Sequence, residues 1–327
     1  MTLLCAGRRA WLRGLALALA ASAFAAPASA QTYPERPVRL IVPFSPGGGS
    51  DVAARIAAQC MGGPLGQTVV VENRPGAGGT LGTEQLVRAA PDGHTLGLLT
   101  TSSAVLNVFL YPRLSFDMRT SLAGIAEVGR SPSVFAVRRG LAEDLAGLRA
   151  AGARAGLTFS SGGNGTGPHL AGTMLGRALG VEVTHVPFRG SGQALTAVVA
   201  GQVDFIIEAI SVLLPQVQDG TVKAVALAGS RRDPLLPQLP TTAEIGLPGL
   251  EVENFYALFA PARTPPAVLT TVASALQRGL AAPDCQRRLG ELGIGPGTTE
   301  PAAFASFWQA ELDRWGPIVA RSGAQVE

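Results

Sequence analysis

Two stretches of this 327-residue sequence combine glycines with hydroxyl and amide side chains in a way suited to holding an anion. The first is Pro43-Phe44-Ser45-Pro46-Gly47-Gly48-Gly49-Ser50-Asp51. The second is Ser160-Ser161-Gly162-Gly163-Asn164-Gly165-Thr166-Gly167-Pro168-His169. Glycines let a backbone turn sharply and approach a ligand closely. Each stretch follows a strand-like run and opens a helical pattern, so exposed N–H groups and the positive end of a helix dipole favour negative charge there. Ser50 or Asp51 is the cap of the first helix. A tight strand-to-helix connection asks for the same residue types, so one loop alone is equally read as a connection. Two such loops in different halves point to binding, because ligands of open α/β sheets gather at the carboxyl ends of the strands.

Other chemistries lack their residues. No GxxxxGK[ST] is present, and Gly163, Gly165 and Gly167 are spaced too tightly for a dinucleotide fingerprint. No serine sits in a GxSxG elbow. His94, His169 and His185 show no metal spacing and there is no CxxC pair, so neither cofactor nor metal is expected. His169 is read as a cap or cleft lining, not a base, and no nucleophile–base pair suggests an enzyme. Arg189, in Val186-Pro187-Phe188-Arg189-Gly190-Ser191-Gly192, is either a bidentate carboxylate partner or a solvated loop arginine. Asp204 and Glu208 flank Phe205-Ile206-Ile207. Acids beside an anion repel it, so they are read as accepting a ligand amine or hydroxyl, or as anchoring a loop.

The elements that must position these residues alternate. Strands are expected at 38–42, 68–72, 95–100, 157–160, 181–185, 203–207 and 222–228. Helices are expected at 51–61, 81–90, 170–179 and 193–200. This alternation predicts an α/β fold of parallel sheets wrapped by helices. The last seventy residues read as mainly helical, with Pro265-Pro266 opening a helix and residues 301–320 forming the last one.

Arg8, Arg9 and Arg13 precede an apolar run and then Pro27-Ala28-Ser29-Ala30, the pattern of a secretory signal peptide cleaved after Ala30. The apolar run is too short to span a bilayer. Arg8-Arg9 also fits a twin-arginine leader, so two export routes remain open. The 26 basic residues exceed the 23 acidic ones by the three arginines lost with the leader, which removes any basic-surface case for nucleic acid or membrane binding. Cys60 and Cys285 remain, either paired or as two buried thiols. About 300 residues exceed what one core usually organises. The reading is a signal peptide over 1–30, one lobe from 31–131 plus 256–327, and a second over 132–255, in a monomer.

Several blocks in order then resemble a known family. They are Tyr33-Pro34-x-x-Pro37, Ile41-Val42-Pro43-Phe44-x-Pro46-Gly47-Gly48-x-x-Asp51, Val71-Glu72-Asn73-Arg74-Pro75-Gly76, Ser161-Gly162-x-Asn164-Gly165-Thr166-x-x-His169, His185-Val186-Pro187-Phe188-Arg189-Gly190 and Gly201-Gln202-Val203-Asp204. From Tyr33 to the C-terminus the chain resembles the Bug family, periplasmic receptors of tripartite tricarboxylate transporters. The resemblance implies a two-lobed periplasmic binding fold of the second type, capture of a small organic acid, and delivery to integral membrane permease subunits. A periplasmic sensor for a membrane signalling partner is the alternative role. By motif position it implies ligand-binding roles for Pro46, Gly47, Gly48, Asp51, Ser102, Asn107, Ser161, Asn164, Gly165, Thr166, His169 and Asp204, to which Arg189 is added. Phe188-Arg189 stands where Tyr-Lys is common, Phe255 where tryptophan is frequent, and Glu208 where Asn or Asp is frequent, so these positions are expected to bear on which acid binds.

Overall fold

A computed structural model describes residues 33–229, 231–247 and 249–322. The leader and its cleavage point lie outside the described residues. The chain opens with strand β1 (Val38–Val42), helix α1 (Gly49–Leu65), β2 (Val69–Asn73), α2 (Thr80–Val87) and β3 (Thr95–Thr100). Four of the five β1 residues are buried, as expected of a strand covered on both faces of a parallel sheet. It pairs in parallel with β2, Val38 opposite Val69, and with β3, Leu40 opposite Leu96.

A long strand, β4 (Leu122–Arg138), carries the chain into a second sheet of the same style. There follow α3 (Leu145–Ala155), β5 (Leu157–Ser161), α4 (Gly167–Leu179), β6 (Val183–Pro187), α5 (Ser191–Val199), β7 (Phe205–Ala209), α6 (Ile210–Gln218) and β8 (Val222–Ala228). β5 lies parallel to both β6 and β7. The return strand β9 (Glu253–Pro261) rejoins the first sheet antiparallel to β3. Helix α7 (Pro266–Leu280), α8 (Pro283–Gly290), the short β10 (Gly295–Pro296) and α9 (Pro301–Ser322) complete the chain. This is the expected α/β fold, with parallel strands in each sheet joined by antiparallel ones.

β4 belongs to both sheets. From Leu122 to Pro132 it pairs with β9, Ser131 opposite Asn254 and Pro132 opposite Glu253. From Ser133 onward it pairs with β7 on one edge and β8 on the other. The order β2-β1-β3-β9-β4-β7-β5-β6 therefore passes through one continuous strand.

The final helix closes the core. Phe304, Trp308, Leu312, Trp315 and Val319 recur at helical spacing and are all buried. Trp308 Nε1 donates to Ala104 O at 2.9 Å, which satisfies the indole inside the core. Pro283 starts a separate helix, which carries Cys285 to Cys60 on α1. The two cysteines form a disulfide across 225 residues, settling the alternative that the sequence left open.

A crosslink of that span removes chain entropy from the unfolded state. Replacing both cysteines by serine is therefore expected to lower the unfolding free energy by about 2–4 kcal/mol, measured by chemical denaturation. Unchanged stability would contradict that role.

Candidate functional site

The first loop is shaped by one carboxylate. Asp51, 4% exposed, accepts hydrogen bonds from Gly47 N, Arg55 Nε and Asn73 Nδ2, each at 3.0 Å. Burial alone would raise its pKa, but Arg55, the Gly47 amide and Asn73 together hold it below the usual carboxylate range. Asn73 also donates to Phe44 O, tying the loop back to β2. The turn needs Gly47, whose φ of +81° lies in the left-handed region. Gly49 allows a close approach, since a Cβ there would sit 2.6 Å from Tyr256 Oη and 3.0 Å from Ser211 Oγ.

The second loop is built on a stacked aromatic pair. The His169 and His185 rings lie 4.0 Å apart at 13°, and Phe159 stacks on His185 at 4.8 Å. Ser161 Oγ and His185 Nε2 are hydrogen-bonded at 2.7 Å. Thr166 Oγ1 donates to Gly163 O at 2.8 Å and caps α4 by accepting from His169 N. Gly165 N donates to His169 Nδ1 at 3.2 Å. Burial, then the neighbouring His169, pushes the His185 pKa down to about 3, and burial lowers His169. Both rings are neutral at pH 7 and serve as scaffolding beneath the loop.

The two loops meet. Ser45 Oγ donates to Arg189 O, Gly167 N donates to Ser102 Oγ at 2.9 Å, and Tyr111 Oη donates to Asn164 O at 2.9 Å. Between them lies a chamber of about 50 Å³. Its walls include hydroxyls of Ser50, Thr100, Ser102, Ser133, Thr166 and Ser191. A mouth of about 670 Å³ adjoins it, sharing Phe44, Ser45, Gly162 and Gly190 as lining. The first residues of α1, α4 and α5 all reach the chamber: Gly48 and Ser50, Thr166 and Gly167, Gly190 and Ser191. Three positive helix ends therefore face one small volume. No lysine or arginine lines it. The arrangement can hold an anionic group through N–H and O–H donors alone.

The expected residues separate by distance from this chamber. Gly48, Ser102 and Thr166 line it, while Asn164 and Arg189 line the mouth. Asp51 braces the first loop, and Ser161, Gly165 and His169 brace the second. Asn107 is fully buried and donates to Gly78 O at 3.0 Å, supporting the turn beside the mouth. Pro46 and Gly47 are exposed on the loop and line neither cavity.

Asp204 lies elsewhere, contrary to the expected role. It accepts from Arg138 Nε at 3.0 Å and Thr158 N at 2.9 Å, at the amino end of β7. Four residues of strand rise, about 13 Å, separate it from the carboxyl end where the chamber lies. Phe255 is also remote, its ring edge-on to Phe304 and Phe307 in the core. Glu208, by contrast, lines the chamber and is 8% exposed. Ser133 and Tyr111 were not singled out from sequence because no local motif surrounds them, and Ser191 was passed over beside Arg189 in its own block.

A receptor-family profile, described as tripartite tricarboxylate transporter family receptor, matches residues 53–324. The chain belongs to this family. A protein encoded in the tcbD-tcbE intergenic region of Pseudomonas sp. strain P51 is 36% identical over 96% of this chain and 94% of its own length. The solved periplasmic binding protein BugD shares 34% identity at a TM-score of 0.86, covering 90% of this chain and all of BugD. MatC of Rhodopseudomonas palustris, solved with bound malate, shares 34% identity at a TM-score of 0.82, over 88% of this chain and all of MatC. Members of this receptor family are periplasmic solute-binding proteins and not enzymes, so the chain's fold is the two-lobed binding fold. Among its described residues no helix is long and apolar enough to cross a membrane.

The histidine scaffold sets an acid limit for this receptor. The folded-state pKa of His185 is depressed, so the unfolded chain binds the extra proton between about pH 6.5 and about 3. Stability contributed by neutral His185 is present above pH 6.5 and is lost as pH falls below it. Replacing His185 by Gln is expected to flatten the fall in melting temperature between pH 6.5 and 5. A profile parallel to wild type would contradict the assignment.

Proposed function

We propose that this receptor captures a small organic carboxylate in the chamber between its two loops and delivers it to the integral membrane permease subunits of a tripartite transporter. The observation that carries the reading is the convergence of three helix N-termini and eight hydroxyl-bearing residues on a volume whose described lining has no cationic side chain. A chamber of about 50 Å³ has room for three or four water-sized groups, the scale of one carboxylate. The remainder of the ligand extends into the mouth, past Phe44, Tyr111 and Phe188, towards Arg189. The malate bound by MatC, a protein of the same family and fold, supports this ligand class.

In this reading the lobes are 31–131 with 256–327, and 132–255. They close about the register where β4 leaves β9 for β7 and β8. The leader over residues 1–30 directs export and is removed, and the receptor acts as a monomer in the periplasm.

A thermal-shift screen tests the ligand class, because a molecule that binds only the folded state raises the melting midpoint. Small mono- and dicarboxylates are expected to raise it, and neutral sugars to leave it unchanged. The opposite pattern would sink the proposal. Gly49→Val would place carbons against Tyr256 and Ser211 and push the start of α1 away from β9 and α6. It is expected to weaken binding of the best carboxylate at least tenfold, by calorimetric titration, with the disulfide-linked core intact. Undiminished affinity would remove this helix end from the site.

A further inference from the structure

The same chamber contains a group that opposes an anion. Glu208 ends β7, lines the chamber, and is 8% exposed. Its Oε1 accepts from Ala209 N at 2.9 Å, and Ser191 supplies a side-chain hydrogen bond. Among the described residues, no lysine or arginine lines the chamber beside it. β5, α5 and α6, which pack on β7, contain no ionisable side chain. β4 carries Glu127 and Arg130, bonded to each other, with Arg130 also 4.0 Å from Glu253, and Arg138, bonded to Asp204 at the far end of β7. α4 carries His169, stacked on His185, and Arg177, which donates to Arg321 O. Across the chamber β9 brings Glu253 and Tyr256. Burial holds the Glu253 carboxyl above its ordinary range, and Tyr256 stays a neutral phenol with its pKa pushed up to about 12.

Two negative charges in one desolvated volume are strongly unfavourable, and a shared proton removes one of them. We propose that Glu208 holds its proton when the ligand binds and donates it in a hydrogen bond to the ligand carboxylate, which makes it a specificity-determining residue of the cleft. Desolvation raises the pKa of Glu208, in the direction this requires, against the smaller lowering effects of Ser191 and the Ala209 amide. The inference rests on the carboxylate reading above. It adds that, among the described residues, the ionisable side chains lining the chamber, Glu208 and Glu253, are both acidic. A ligand that fits then presents a hydrogen-bond-accepting anion to Glu208, and ammonium-bearing analogues gain nothing from it at this protonation state.

The test uses the purified chain with malate and adipate as probes. Infrared difference spectra at ligand saturation and pH 7 are expected to show the carbonyl stretch of a protonated carboxyl, absent from Glu208→Gln. Its absence from wild type would overturn the proposal. In titration calorimetry, Glu208→Ala is expected to weaken the tighter probe at least about tenfold, the scale of a hydrogen bond to a charged group. Glu208→Gln, a neutral donor of similar shape, should recover most of that loss. Failure of Gln to recover it, with melting temperatures equal across the variants, would also overturn the proposal. If neither probe binds wild type and no other carboxylate does, the carboxylate reading itself falls, and this inference with it. Binding with an ionised Glu208 sinks only the inference.

Discussion

The first four N–H groups of any helix lack partners within the helix, and here three helices begin at one chamber, those of α4 capped by Ser102 and Thr166. That unsatisfied polarity is the constraint on which the rest of the structure turns. Placing it requires strands that run towards the chamber and glycine-rich turns that bring each helix start inward. It also requires braces that keep those turns from relaxing. Asp51 performs the bracing for the first loop, and the His169–His185 stack with Ser161 does so for the second. These residues touch no ligand in the proposed arrangement, yet their geometry determines where the donors point. Holding an anion by fixed backbone dipoles also keeps long cationic side chains, with their large rotamer entropy, out of the chamber.

β4 supplies the second constraint. One strand serves both sheets, so a change in its twist near Ser131 and Pro132 is felt on both sides of the chamber. Ser133 lines the chamber at the start of the second segment, and its N–H donates to Val252 O at 3.1 Å. The strand that joins the halves thus also contributes to the site. The bulges between Gly124 and Ala126 and between Glu127 and Gly129 lie on the first-sheet side, where they add local twist without altering that contact.

Much of this was legible in the sequence, for identifiable reasons. Strands at 38–42, 95–100 and 222–228 match their observed limits because each is a short apolar run bounded by turn residues. Both glycine-rich loops were found because sharp turns from strand into helix leave a compositional mark. β4 was not anticipated, since Gly124, Gly129 and Pro132 interrupt its periodicity and its pairing is entirely long-range. Asp204 was assigned to the site by motif position, but only strand polarity tells the two ends of β7 apart. Glu208 was noticed as a departure from expectation, and its meaning emerged only when the chamber walls proved to hold no cation.

The central claim is that backbone amides at converging helix ends hold the ligand's carboxylate. A crystal structure of the chain with a bound small carboxylate tests it most directly. The account predicts carboxylate oxygens within hydrogen-bonding distance of the amides at Gly48–Ser50 and at Ser191, with no guanidinium in contact with that carboxylate. A carboxylate seated in the mouth on Arg189, with the chamber left to other groups, would contradict it.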